Sequence, residues 1–194
     1  DYTMKVKHLV GAFLCVLGCY ACSSPKTEVQ SPDGHIKMTL TVDENGKPFY
    51  NVSVDDSLLI ENSAMGFTAA NGIILSEGFQ VKNTTFSSED ETWTQPWGEN
   101  KKNRNHYNEM TVTLEQPETG RILNIRFRLF NDGLGFRYEL PLQRKMNYLT
   151  VKDEVTEFNL TGNHKAFCIP GDYDTNEFAY TTAPLSDIAV DLSL

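Results

Sequence analysis

From Ile36 onward, apolar and polar side chains alternate with a period of two: Ile36, Met38, Leu40 and Val42 are interleaved with Lys37, Thr39 and Thr41. A strand turns successive side chains to opposite faces, so this pattern predicts a half-buried strand. Asp43-Glu-Asn-Gly46 is a turn, and Tyr50, Val52 and Val54 resume the alternation, which predicts a hairpin. Leu58–Ile60, Gly72–Leu75 and Phe79–Phe86 are further short candidates, and Met110, Val112 and Leu114 alternate again. The strongest pair is Ile122–Phe130 and Leu134–Leu140, joined by Asn131-Asp-Gly133. Leu123, Ile125, Phe127 and Leu129 face one way, and Asn124, Arg126 and Arg128 the other; Leu134, Phe136, Tyr138 and Leu140 answer from the partner strand. Residues 87–106 are polar, carry both tryptophans and read as a long loop. Ala183–Leu194 reads as the start of a strand whose partner is missing. Beyond the N-terminus no segment has a helical period. Many short strands separated by turn residues predict an all-β antiparallel sandwich or barrel.

The N-terminus departs from this pattern. Lys5, Lys7 and His8 precede an apolar run, Leu9 to Leu17, that is too short to span a bilayer as a mature helix. It ends in Gly18-Cys19-Tyr20-Ala21-Cys22-Ser23-Ser24. Residues 1–22 therefore read as a secretory signal, with Met4 as the expected start. A cysteine after small residues resembles a bacterial lipoprotein acceptor. Cys19 and Cys22 both qualify, and Cys22 is favoured because Ser-Ser-Pro follows it as a tether. Residues 23–30 read as a linker and 31–194 as one domain.

Three of the four cysteines lie in the signal, so the exported body, with Cys168 alone, must rest on its hydrophobic core. The net charge of −9 is spread along the chain. This argues against nucleic acid and anionic membrane surfaces as partners and suits neutral ligands such as carbohydrates, or a cation.

Candidate chemistry concentrates in three places. Ile169-Pro-Gly-Asp-Tyr-Asp-Thr-Asn-Glu-Phe-Ala-Tyr180 sets Asp172, Asp174 and Glu177 among Tyr173, Phe178 and Tyr180. Oxygen ligands beside flat apolar surfaces suit a hard cation or a sugar, and a turn followed by an edge strand would read alike. Trp93-Thr-Gln-Pro-Trp97-Gly-Glu99 offers stacking faces for sugar rings, or caps an open end of the sandwich. Arg104-Asn-His-Tyr-Asn108-Glu109 could hydrogen-bond a ligand, or be pinned by its own side chains. The histidines at 8, 35, 106 and 164 lack metal-ligand spacing, and no nucleophile motif is present.

Taken in order, these segments resemble the N-terminal domain of glycoside hydrolase family 97. The resemblance runs from Ser31-Pro-Asp-Gly34 and Gly46-Lys-Pro-Phe-Tyr50 through Trp93, Trp97-Gly-Glu99, Tyr107-Asn-Glu109 and Phe127-Arg-Leu-Phe-Asn-Asp-Gly-Leu-Gly-Phe-Arg-Tyr138 to Ile169–Tyr180. That family, found largely in gut Bacteroides-type bacteria, includes a periplasmic α-glucosidase of a starch utilisation system, and α-galactosidases. The resemblance implies a galactose-mutarotase-like β-supersandwich, incomplete here at its C-terminus, packed on a (β/α)8 catalytic barrel. It implies that the catalytic carboxylates lie on the barrel, so that this stretch does not catalyse alone. It implies a calcium ion held by several glutamates, one of them from the N-terminal domain at the position of Glu177. Trp97, Glu99, Asn108 and Glu109 are the expected contacts to an oligosaccharide substrate. The expected location is the periplasm or outer membrane of a Gram-negative bacterium, with membrane attachment only through a lipid anchor. A stand-alone carbohydrate-binding lipoprotein and a purely structural sandwich module are the competing readings.

Overall fold

The computed structural model of the protein describes residues 26–144, 146, 148–170, 174 and 177–188. The expected signal at 1–22, with Cys19 and Cys22, lies outside the described residues, as do Asp172 and Tyr173.

Two four-stranded antiparallel sheets form the body. The first runs β1 (Glu28–Gln30), β2 (Ile36–Val42), β3 (Pro48–Val54), β4 (Ser57–Ala64) in spatial order. The second runs β10 (Gly133–Glu139), β9 (Arg121–Phe130), β8 (Lys102–Gln116), β7 (Gln80–Thr94). β1 lies over β8 and β2 over β9, so the inner faces meet as a sandwich. The period of two delivers the core directly. Met38, Leu40, Tyr50 and Val52 from the first sheet meet Met110, Val112, Leu114, Leu123, Ile125, Phe127 and Leu129 from the second. In the β8–β9 register Met110 pairs with Phe127, Val112 with Ile125 and Leu114 with Leu123, so each apolar residue has an apolar neighbour on the same face.

A third sheet, β11 (Val151–Glu154), β5 (Phe67–Ala69), β6 (Ile74–Leu75), packs at the side and buries Phe67, Ala69 and Leu75. It is tied to the sandwich edge by Tyr138, whose hydroxyl accepts from Gly66 N at 2.8 Å and shares a hydrogen with Thr156 Oγ1 at 2.6 Å. Residues 155–161 run along β4 through backbone bonds such as Glu157 N to Ala64 O and Thr161 N to Leu59 O. Tyr50 reaches this segment from the core and donates to Glu157 O at 2.8 Å. β12 (Lys165–Cys168) and β13 (Thr181–Pro184) pair as a separate ribbon, followed by a single 3-10 turn, Leu185–Asp187. Among the described residues this turn is the only helical element.

Three expectations are corrected. Residues 87–106 do not form one loop: most belong to β7 and β8, two 15-residue strands that run as a long antiparallel ribbon to a turn at 95–101. The region assigned to an unpartnered strand from Ala183 onward contributes its first residues to β13, and the partner is present as β12. Residues 28–30, read as linker, are a strand of the first sheet that buries Val29. The hairpin at 122–140 has the expected register and turn, with Leu129 opposite Leu134 and Phe127 opposite Phe136. Leu140 lies beyond the end of β10 and is exposed.

Candidate functional site

β9 pairs with β8 only from Asn108 to Gln116. Before Asn108 the β7–β8 ribbon extends past the second sheet with no third strand among the described residues. Two strands alone are marginal in water, so such a ribbon needs cross-strand support. Arg104 supplies it, donating through Nε and Nη2 to both oxygens of Asp90 at 2.7 Å each. The fork holds the Asp90 carboxyl below the usual range, the Arg104 hydrogen bond being the main cause. Asn105 Nδ2 adds a bond to Glu91 at 2.9 Å. At the tip, Gln95 Nε2 closes the turn onto Asn100 O at 2.8 Å. Trp97 stands 87% exposed there, near Glu99, and Trp93 is half exposed on the strand beneath. Two indole faces held out on a braced ribbon can stack on sugar rings, whose C–H faces are apolar.

The base of the ribbon is a different environment. A groove of about 520 Å³ lies between β1 and the ribbon, lined among others by Glu28, Gln30, Phe86, Ser88, Asn108 and Glu109. Phe86 is on the inner face but half exposed. Asn108 Nδ2 donates to Gln30 O at 2.9 Å, which ties the ribbon base to β1 and leaves its Oδ1 to accept. Glu109 is 6% exposed. Its Oε1 accepts from Arg126 Nη1 at 2.6 Å and its Oε2 from Arg128 Nε at 2.7 Å. The Arg128 guanidinium also lies 4.3 Å from the Tyr107 ring centroid, a cation–π contact.

The expected sugar contacts thus divide into two groups. Trp97 and Glu99 are at the tip, Asn108 and Glu109 at the base. Trp93 is paired with Asn103 and Ser88 with Asn108, five positions apart, or about 17 Å at roughly 3.4 Å per residue. Phe86, Ser87 and Ser88 also line the groove, although only strand character was read from Phe86. The signal for it was Phe86 opposite Met110, an apolar pair at the end of the inward stripe.

Glu177 lies in the connection between β12 and β13, exposed, with no hydrogen-bond or ion-pair partner among the described residues. No group of three or more His, Cys, Asp or Glu residues able to hold a metal ion is found among the described residues. Calcium takes six to eight oxygens, more than the single Glu177 carboxylate can supply.

The chain has clear relatives. A retaining alpha-galactosidase from Bacteroides thetaiotaomicron is 26% identical over 94% of this chain and 28% of its own length. The structure of a glycoside hydrolase family 97 enzyme from Pseudoalteromonas sp. strain K8 in complex with panose superposes with a TM-score of 0.76 at 37% identity, covering 82% of this chain and 25% of that one. A beta-arabinopyranosidase structure gives a TM-score of 0.66 at 26% identity, over 72% of this chain and 22% of that one. The chain therefore spans about a quarter of the length of these relatives. The family model described as glycosyl-hydrolase 97 N-terminal matches residues 29–193, nearly the whole described body. By that match, and by the sandwich shared with a family 97 enzyme, the chain belongs to the glycoside hydrolase family 97 N-terminal domain family.

Proposed function

We propose that this chain is the carbohydrate-facing N-terminal domain of an exo-acting α-glycosidase, closing the mouth of a (β/α)8 catalytic barrel and supplying one calcium ligand. The observation that carries the reading is the β12–β13 connection. It presents the Glu177 carboxylate to solvent without a partner among the described residues, in a chain that matches the family over 29–193. A lone exposed carboxylate contributes little to a fold, yet it suits a cation whose other oxygens come from the barrel. Bound calcium would polarise the sugar oxygens it touches, as a Lewis acid. Glu177 would supply one carboxylate oxygen and its charge. The exposed indoles of Trp93 and Trp97, with Glu99, would contact an α-linked oligosaccharide, and the groove holding Asn108 and Glu109 would be a second contact region. Panose, bound by the Pseudoalteromonas relative, is the natural first ligand to try.

Catalysis is assigned to the barrel rather than to this domain, and hydrolysis of α-glucosides or α-galactosides to the whole protein. Export through residues 1–22, with lipid attachment at Cys22, would place it in the periplasm or on the outer membrane.

Glu177→Gln in the protein carrying the barrel keeps the side-chain shape and removes the charge. Calcium affinity, by titration calorimetry, and glycosidase rate should fall together, and excess calcium should partly restore the rate. Equal calcium affinity in the two proteins rejects the ligand role.

A further inference from the structure

Gly135 stands in the middle of β10 without a conformational reason. The ladder around it is regular, with Gly135 opposite Arg128. Its φ lies outside the left-handed region, and a Cβ built there would meet nothing within 4 Å. Glycine weakens a strand interior, and where no bulge, bend or clash calls for it, it marks a close approach from outside. The space above it is a notch of about 220 Å³ lined by Arg126, Arg128, Phe130, Gly135, Phe136 and Arg137.

Three of the six residues lining the notch are arginines. Arg126 pairs with Arg137 and Arg128 with Gly135, so all four positions share the outer face of the second sheet. Arg126 uses all three nitrogens, Nε and Nη2 on Glu139 and Nη1 on Glu109. Arg137 gives Nε and Nη2 to Glu139. Arg128 gives only Nε, to Glu109, and its two terminal nitrogens have no hydrogen-bond partner among the described residues. A guanidinium carries five donors, so most of the Arg128 fork is unspent. The Tyr107 ring beneath it and the bond to Glu109 fix its plane. Three arginines against two glutamates leave the cluster one positive charge in a chain of net −9.

We infer that the notch over Gly135 binds a carboxylate group, taken by the unspent fork of Arg128 with Arg137 beside it. A planar anion meets a planar fork in two parallel hydrogen bonds, and Gly135 leaves room for the atoms behind the carboxylate. A sugar acid and an acidic side chain of a neighbouring segment both present this group.

The test is a titration of the chain, with ¹⁵N-labelled arginine, followed by NMR at the Arg128 and Arg137 Nε–H signals and at constant ionic strength. Glucuronate and acetate should give saturable shifts, and glucose none. Glucuronate binding about tenfold or more tighter than acetate assigns a sugar acid; equal binding assigns the carboxylate alone, as an acidic side chain offers it. Gly135→Val fills the notch with a residue that favours strands, so it should abolish the shifts without lowering the unfolding midpoint. Arg128→Lys keeps the charge but not the fork and should weaken binding about tenfold. Absence of saturation below about 100 mM, or binding undiminished in Arg128→Lys, overturns the inference.

Discussion

Glu109 and Arg126 are joined at 2.6 Å across β8 and β9 on the outer face of the sheet, yet the Glu109 side chain is only 8% exposed. An outward-facing carboxylate is buried here because Arg126 and Arg128 close over it and use both its oxygens. Removing one partner of a buried pair strands the other charges. Glu109→Ala should cost about 2–4 kcal/mol in urea unfolding, the upper part of the usual range being reduced because Arg126 keeps Glu139 and reaches solvent. A loss below about 0.5 kcal/mol would show that the pair is a solvated surface contact.

The same network makes stability depend on acid. Glu139 is held below its ordinary value of 4.5, chiefly by the Arg126 hydrogen bond, against some desolvation and with further help from Arg137. Glu157 is lowered in the same direction, chiefly by the Ala64 N–H it accepts and then by Asn159. A carboxyl whose folded value is depressed adds stability that is fully present above its unfolded value and is lost as pH falls through the folded one. The urea midpoint should therefore hold above about pH 5 and drop steadily below about 4.5. Glu139→Gln should start lower and fall less over that window. A parallel acid profile in the variant would remove Glu139 from the account.

Phe127 is fully buried and packs 6.0 Å from Phe136, centroid to centroid. Truncation to Ala should cost about 3–5 kcal/mol. Phe86→Ala, at a half-exposed site, should cost much less, and comparing the two midpoints checks the facing of the whole sheet.

The core was legible because burial on one face imposes a period of two. Ile36–Val42 and 122–140 show it, and Asn131-Asp-Gly133 fixes the hairpin register. The ribbon was not legible for the complementary reason. Residues 87–106 have solvent on both faces, so nothing selects alternation, and Ser, Asp, Glu and Asn look like loop. The residual signal was pairwise: Glu91 and Asn105 face each other across the strands, and Asp90 and Arg104 meet on the diagonal. The ion pairs of Glu109 were not legible, because a buried glutamate and an exposed one have the same letter. Only the register brings Arg126 and Arg128 beside it.

Gly46 should tolerate no side chain. Its φ is +75°, and a Cβ there would lie 2.3 Å from Phe79 N, where the 43–46 turn is clamped by Gly78 N to Asn45 O and Phe79 N to Gly46 O. Gly120 has a similar φ of +70° with nothing within 4 Å. Gly120→Ala should cost about 1–2 kcal/mol, the strain of the left-handed conformation alone. Gly46→Ala must also move backbone, and should lower the midpoint further or prevent folding. Equal losses would mean that the approach of the two turns is not tight.

The two sugar-contact regions can be separated through exposed residues, Trp97 at the tip and Phe86 in the groove. Trp97 is 87% exposed, so Trp97→Ala should leave the urea midpoint unchanged while weakening panose binding about threefold to tenfold, the worth of one aromatic stacking partner. Phe86→Ala probes the groove instead, seven positions before Trp93 on β7 and about 24 Å away by strand count. If the tip is the contact, calorimetry on the protein carrying the barrel will show the loss for Trp97→Ala and not for Phe86→Ala. The reverse order moves the sugar to the groove beside Asn108. Undiminished affinity in both variants rejects this ribbon as a carbohydrate surface and leaves Trp97 with a role in packing against a neighbouring domain.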